Sequence, residues 1–120
     1  MPLVEVVPGQ ERDQNIVDDV HHLLEYIGMV PIIIKKEIDA FVADRMLEAM
    51  WREALWLIKD DICTTKELDN IITSSFGIRF AQMGIFESYR IAGGDKGMRH
   101  FLDQFGPALK WPWSRLTDVP

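Results

Sequence analysis

Cysteine is all but missing from this chain: Cys63 stands alone among 120 residues. One thiol cannot close an internal disulfide, so no disulfide framework is expected, and the composition fits a reducing compartment, the cytoplasm. Cys63 itself reads as a small hydrophobe at a helix end rather than as a nucleophile. Positive charge is scarce as well. The 13 Lys and Arg face 19 Asp and Glu, for a formal net charge of -6. Nucleic acid needs a basic footprint on its partner, and an anionic membrane surface is disfavoured in the same way. No uncharged apolar run is long enough to cross a bilayer. The most apolar long segment, Ile38 to Ile58, carries Asp39, Asp44, Arg45, Glu48, Arg52 and Glu53, too many charges for hydrocarbon. The N-terminus shows no basic stretch ahead of an apolar run, so no targeting peptide is expected.

Two further absences bear on chemistry. The 8 glycines never form the strand–Gly-x-Gly-x-x-Gly–helix pattern that receives a dinucleotide. Gly77, Gly84, Gly93, Gly94 and Gly97 read as caps and close-packing points, and Pro8-Gly9 makes the only glycine turn at the start. No cofactor is expected to bind this chain alone. A metal-ligand set is also missing. His21 and His22 are neighbours that point in different directions on a helix, and no Cys or further His stands at ligand spacing. His100, beside Arg99, carries little weight.

What is present is 48% hydrophobic residues, ample for one packed domain, or for one domain and part of another. Leu3 to Val7 reads as a short strand stopped by Pro8-Gly9. Asp13 can cap a helix with Ile16, Val17, Val20, Leu23, Leu24 and Ile27 at helical spacing, closed by Gly28 as a left-handed C-terminal cap. Val30 to Ile34 is a second apolar strand of the kind found in buried parallel sheets. This makes a β-α-β unit, and a two-stranded sheet is not stable alone. Either more chain precedes Met1 or another subunit supplies the pairing.

From Glu37 onward every segment reads as helix. Ile38, Phe41, Val42, Met46, Leu47, Met50, Trp51, Ala54, Leu55 and Ile58 cover so wide a face that the first helix is expected to be buried on several sides, central to the domain or shared with a second subunit. Thr64 and Glu67 form a capping box ahead of Leu68, Ile71 and Ile72. A shorter helix is expected over Met83 to Ala92, ending at Gly93-Gly94, and another from about Lys96 to Phe105, ending at Gly106-Pro107. The Trp- and Pro-rich tail from Lys110 resists assignment.

Leu3-Val4-Glu5-Val6, followed by Glu37-Ile38-Asp39-Ala40-Phe41-Val42-Ala43-Asp44-Arg45, resembles the seam between the two domains of the 3-hydroxyacyl-CoA dehydrogenases. Further along, Trp51-Arg52-Glu53-Ala54-Leu55-Trp56, the stretch from Phe76 to Glu87, Tyr89-Arg90-Ile91-Ala92-Gly93-Gly94 and Lys110-Trp111-Pro112-Trp113 resemble the carnitine-oxidising branch of that superfamily. The likeness covers nearly the whole chain. It implies a mainly α fold: a helical dimerisation domain of the 6-phosphogluconate dehydrogenase C-terminal type over residues 37–120, preceded at 1–36 by the last β-α-β segment of a truncated, Rossmann-like NAD-binding domain. It also implies a homodimer through the helices, and a small-molecule substrate, L-carnitine, oxidised with NAD to 3-dehydrocarnitine.

In that family Glu5 matches the Glu that supports an upstream catalytic His and stabilises its cationic form. The His takes the substrate hydroxyl proton as hydride leaves for NAD. Taken by itself, Glu5 reads more readily as a solvent-facing residue on an alternating strand. Asp44 falls where the family usually carries an Asn reaching toward the substrate, and Arg45 follows as expected. A carboxylate cannot donate to a substrate carbonyl as an amide can, so the change disfavours acyl-CoA and suits a cationic substrate. An ordinary charged pair on a helix is the plain alternative. A trimethylammonium group is held by aromatic faces and carboxylates; Glu87 and Tyr89 are the substrate-binding candidates, while Trp51 and Trp56 read as core and Trp111 and Trp113 as pins for the tail. Two other functions stay open: a 3-hydroxyacyl-CoA dehydrogenase fragment, and a stand-alone helical dimerisation module whose strands pair between subunits.

Overall fold

The computed structural model describes residues 1–111 and 113–119. They form two compact units, Met1–Met50 and Trp51–Pro120.

The first unit opens with β1 (Leu3–Val6), α1 (Gln14–Tyr26) and β2 (Val30–Ile33). The strands pair in parallel, with Leu3 opposite Val30 and Glu5 opposite Ile32, and α1 is the crossover that parallel pairing requires. Local signals set its ends. The Asp13 side chain accepts the Asn15 N–H at 2.9 Å, as an N-cap should. At the other end Gly28 takes a left-handed φ of 82°, which a residue without Cβ adopts at no steric cost, and Met29 turns its N–H back to the Leu24 carbonyl. Val17 of α1 and Ile34, just past β2, are buried at 7% and 8% exposure. Leu3, Val30 and Ile32 stay exposed, so the sheet is apolar on more surface than α1 covers.

The helix expected from Ile38 begins only at Ala43. Residues 39–42 form a turn, with Ala40 at φ 61° and Phe41 at φ 46°. The apolar spacing of Ile38, Phe41 and Val42 happens to continue that of the helix, and periodicity alone cannot detect the reversal. The helix itself, α2 (Ala43–Lys59), has no buried residue, which corrects the expectation that it is buried on several sides within this chain. Met46, Leu47, Met50 and Trp51 are 48, 58, 40 and 61% exposed.

Among its described residues the second unit contains the end of α2, the α-helices α3 (Thr65–Thr73), α4 (Phe76–Phe80), α5 (Ile85–Ala92) and α6 (Gly97–Phe105), and short 3-10 helices over Gly94–Lys96 and Gly106–Lys110. Thr64 and Glu67 make the expected reciprocal box, Glu67 donating its N–H to Thr64 Oγ1 at 3.2 Å and accepting the Thr64 N–H at 2.8 Å. The five-residue α4 was not foreseen; it packs on α3, with the Phe76 and Phe80 rings 5.6 Å apart. The helix expected from Met83 starts two residues later, after Gly84. α5 and α6 pack together through Tyr89 stacked on Phe101 at 4.7 Å. Between them the Gly93 Cα faces the Gly97 carbonyl so closely that a Cβ would overlap it.

Candidate active site

Glu5 lies half-buried on β1 and does more than either reading of the sequence supposed. Its Oε1 accepts the Val42 N–H at 2.9 Å and its Oε2 the Ala43 N–H at 3.3 Å. These are among the N–H groups at a helix start that lack an intrahelical acceptor, and a carboxylate there also meets the positive end of the helix dipole. The strand side chain therefore caps α2. Asp44 and Arg45, both exposed, follow at once in the first turn of that helix, so the fold brings these three predicted residues to one place.

In the same unit an open cleft of about 480 Å³ is lined by Pro8, Gly9, Gln10, Lys35, Lys36 and Glu37. It sits past the carboxyl ends of both strands, the side on which open α/β sheets hold ligands. Lys35 and Lys36 were not singled out from sequence, although an adjacent basic pair directly after an apolar strand in an acidic chain was a usable signal.

The other candidates lie in the second unit. Glu87 is held by Arg90, whose Nε and guanidinium nitrogen donate to its two oxygens at 3.0 and 2.6 Å. That hydrogen bond, with the nearby positive charge, sets the Glu87 carboxyl below the usual carboxylate range. Tyr89 gives one ring face to Phe101, at an interplanar angle of 11°. Trp56 is half-buried, but its face is occupied. The Arg115 guanidinium lies 4.6 Å from the ring centroid and donates to both Asp60 oxygens, at 3.3 and 2.5 Å. These residues line a cavity of about 220 Å³ with Glu53, Leu57 and Trp113. The tail is pinned further by Arg52 donating to the Thr117 carbonyl at 2.6 Å and by Trp113 Nε1 donating to the Ala108 carbonyl at 2.8 Å. Trp111 and Trp113 stack at 5.6 Å. Asp60 and Arg115 were missed from sequence, since nothing local marks a pair so far apart in the chain.

His21 Nδ1 stands 3.5 Å from Glu25, and Cys63 is a free, half-buried thiol. Among the described residues no group of three or more His, Cys, Asp or Glu could hold a metal ion, and no helix is long and apolar enough to cross a membrane.

A parallel β-α-β edge whose strand carboxylate caps the opening helix of an all-helical stretch defines the class: an α/β end joined to a helical domain, as in two-domain dehydrogenases. Comparison with known proteins gives the family. Residues 1–38 match the 3-hydroxyacyl-CoA dehydrogenase NAD binding domain and residues 41–118 the C-terminal domain of the same enzymes; the chain belongs to the 3-hydroxyacyl-CoA dehydrogenase family. It is 58% identical over 120 residues to L-carnitine dehydrogenase of Mesorhizobium japonicum, covering 100% of this chain and 33% of that protein. With the L-carnitine dehydrogenase/betainyl-CoA thioesterase of Rhizobium sp it shares 60% identity over 119 residues, 99% of this chain and 24% of that one. The chain thus spans a third or less of these two relatives. Among solved structures it resembles 5-formyl-3-hydroxy-2-methylpyridine 4-carboxylic acid 5-dehydrogenase, described as an NAD+ dependent dismutase. That match has a TM-score of 0.78 and 26% identity, over 99% of this chain and 37% of that one.

Proposed function

We propose that this chain is the C-terminal part of an NAD-dependent 3-hydroxy acid dehydrogenase of the cytoplasm that oxidises L-carnitine to 3-dehydrocarnitine. In this reading residues 1–36 end the nucleotide-binding domain, and residues 37–120 are the helical domain that dimerises and forms one wall of the substrate cleft. The observation that carries it is the Glu5 carboxylate seated on the helix that bears Asp44 and Arg45.

The residues present do not fit NAD. Gly9 is the single glycine between β1 and α1, and Gly28 follows α1 rather than opening it, so no glycine-rich loop leads into a helix N-terminus as a pyrophosphate requires. In this reading the hydride acceptor is held by a nucleotide-binding portion other than these residues. What Glu5 itself can do follows from its lone pairs. A carboxylate offers about four acceptor sites, and α2 uses two of them, one on each oxygen. The rest can accept from an imidazole N–H and favour its cationic form, the state in which a general base holds the substrate proton. Asp44 would face the trimethylammonium group of carnitine, with Arg45 as a further substrate contact; Glu87 and Tyr89, in the second unit, are proposed as substrate-binding residues in their own right. The exposed apolar side chains of α2 are the surface proposed for the homodimer.

The test is to assay the full-length gene product with NAD+ and either L-carnitine or a 3-hydroxyacyl-CoA. NADH formation with carnitine is expected, and a kcat about 10²- to 10⁴-fold lower for Glu5→Gln, the usual worth of general-base support. NADH formed only with the acyl-CoA would replace carnitine as the substrate; none with either would sink the dehydrogenase reading.

A further inference from the structure

The turn that joins β2 to α2 is held in a conformation its own residues disfavour. Ala40 at φ 61° and Phe41 at φ 46° are consecutive, and both lie in the left-handed region. Residues other than Gly, Asn and Asp seldom go there, and they stay only where the surroundings over-determine them. Within the turn, Phe41 donates its N–H to the Ile38 carbonyl at 3.1 Å; such a turn can take a positive φ at its third residue, Ala40, but it does not require Phe41, the fourth, to follow. The next two N–H groups, of Val42 and Ala43, both go to Glu5.

We infer that Glu5 is the positioning residue of this seam: its carboxylate, taking one N–H on each oxygen, holds Ala40 and Phe41 left-handed. It thereby fixes the first turn of α2, with Asp44 and Arg45 on it, against the end of β1. This rests on the proposed function and deepens it, because one carboxylate then both supports the base and sets where the substrate residues stand. The two roles respond differently to substitution. Glutamine keeps one acceptor oxygen and presents an NH2 group to the second amide, so it can satisfy only one of the two. Glycine adopts the left-handed region without penalty, so Ala40→Gly lowers the turn's need for a clamp while adding nothing to base support.

Amide hydrogen exchange at Val42 and Ala43, followed by mass spectrometry of overlapping peptides from the full-length gene product, tests the clamp in the parent, Glu5→Gln, Ala40→Gly and the double variant. Glu5→Gln is expected to speed exchange at one or both amides by about 10-fold or more, the effect of losing a charge-assisted hydrogen bond. The same substitution should act several-fold less on the Ala40→Gly background. Unchanged exchange in Glu5→Gln, or equal effects on the two backgrounds, overturns the clamp. Should Glu5→Gln unfold the chain, Glu5→Asp, one methylene shorter, gives the same comparison.

Kinetics of the full-length gene product with L-carnitine then test the consequence for substrate. Glu5→Gln is expected to raise KM and lower kcat; adding Ala40→Gly should bring KM back while kcat stays low. A KM that Glu5→Gln leaves unmoved, or that Ala40→Gly does not restore, overturns the positioning role. Absence of any dehydrogenase activity would sink the proposed function, and the exchange data would still decide the clamp.

Discussion

Gly93 shows what a single residue decides. It is buried, and a side chain there would meet the Gly97 carbonyl, which belongs to backbone and cannot swing aside. Gly93→Ala should therefore cost about 1–3 kcal/mol, the range for overpacking a tight site; urea denaturation checks it, and an unchanged midpoint would mean that α5 and α6 can part without loss. The sequence marked Gly93 as a packing point because glycine there ends one helix and opens the way to another. It marked Glu5 too, through a charge set among Leu3, Val4, Val6 and Val7. Its partners were beyond reach, since Val42 and Ala43 contribute only backbone N–H groups, which any residue but proline would offer. Trp56 reads as core in the sequence, whereas the folded chain gives its ring face to Arg115, a cation–aromatic contact made within the chain.

Among the elements, α3 was the most legible, because a capping box is written within four residues. The box also makes its stability depend on pH. The Glu67 carboxyl is held below its ordinary value of 4.5, first by the hydrogen bond from the Thr64 backbone N–H and then by that of its hydroxyl. A lowered folded pKa means that the ionised form favours folding. The contribution is complete above the ordinary value and disappears as the pH falls through the lower, folded value. Fraying of the α3 N-terminus is thus expected as the pH drops below about 4.5, visible in the amide shifts of Thr65 to Glu67, and Glu67→Gln should abolish that pH dependence. Thr64→Ala should destabilise by about 1 kcal/mol at neutral pH, as lost N-caps do. α2 was legible in its body but not at its start. Its apolar spacing runs back through Ile38, and only the left-handed Ala40 and Phe41 break it. α4 is too short, at five residues, for periodicity to separate it from a turn.

For the molecule as a whole, the informative quantity is apolar surface left uncovered. Met46, Leu47, Met50 and Trp51 follow one another along α2 at about helical spacing, each at least 40% exposed. If α2 is the homodimer surface proposed above, Leu47→Glu together with Met50→Glu should convert dimer to monomer in analytical ultracentrifugation with helix content retained. A parent chain that sediments as a monomer at every concentration would remove the dimer from the reading. The sequence by itself determined the β-α-β order, the caps at Asp13, Gly28 and Thr64, and the helical remainder, because each of these is specified by neighbours within a few residues. Tertiary structure alone decided where α2 begins, that Glu5 caps it across 37 residues, and that Arg115 closes on Asp60 across 55. Those contacts join positions whose separation along the chain says nothing of their distance in space, and a backbone amide or an aromatic face carries no mark in the sequence of the partner it will meet.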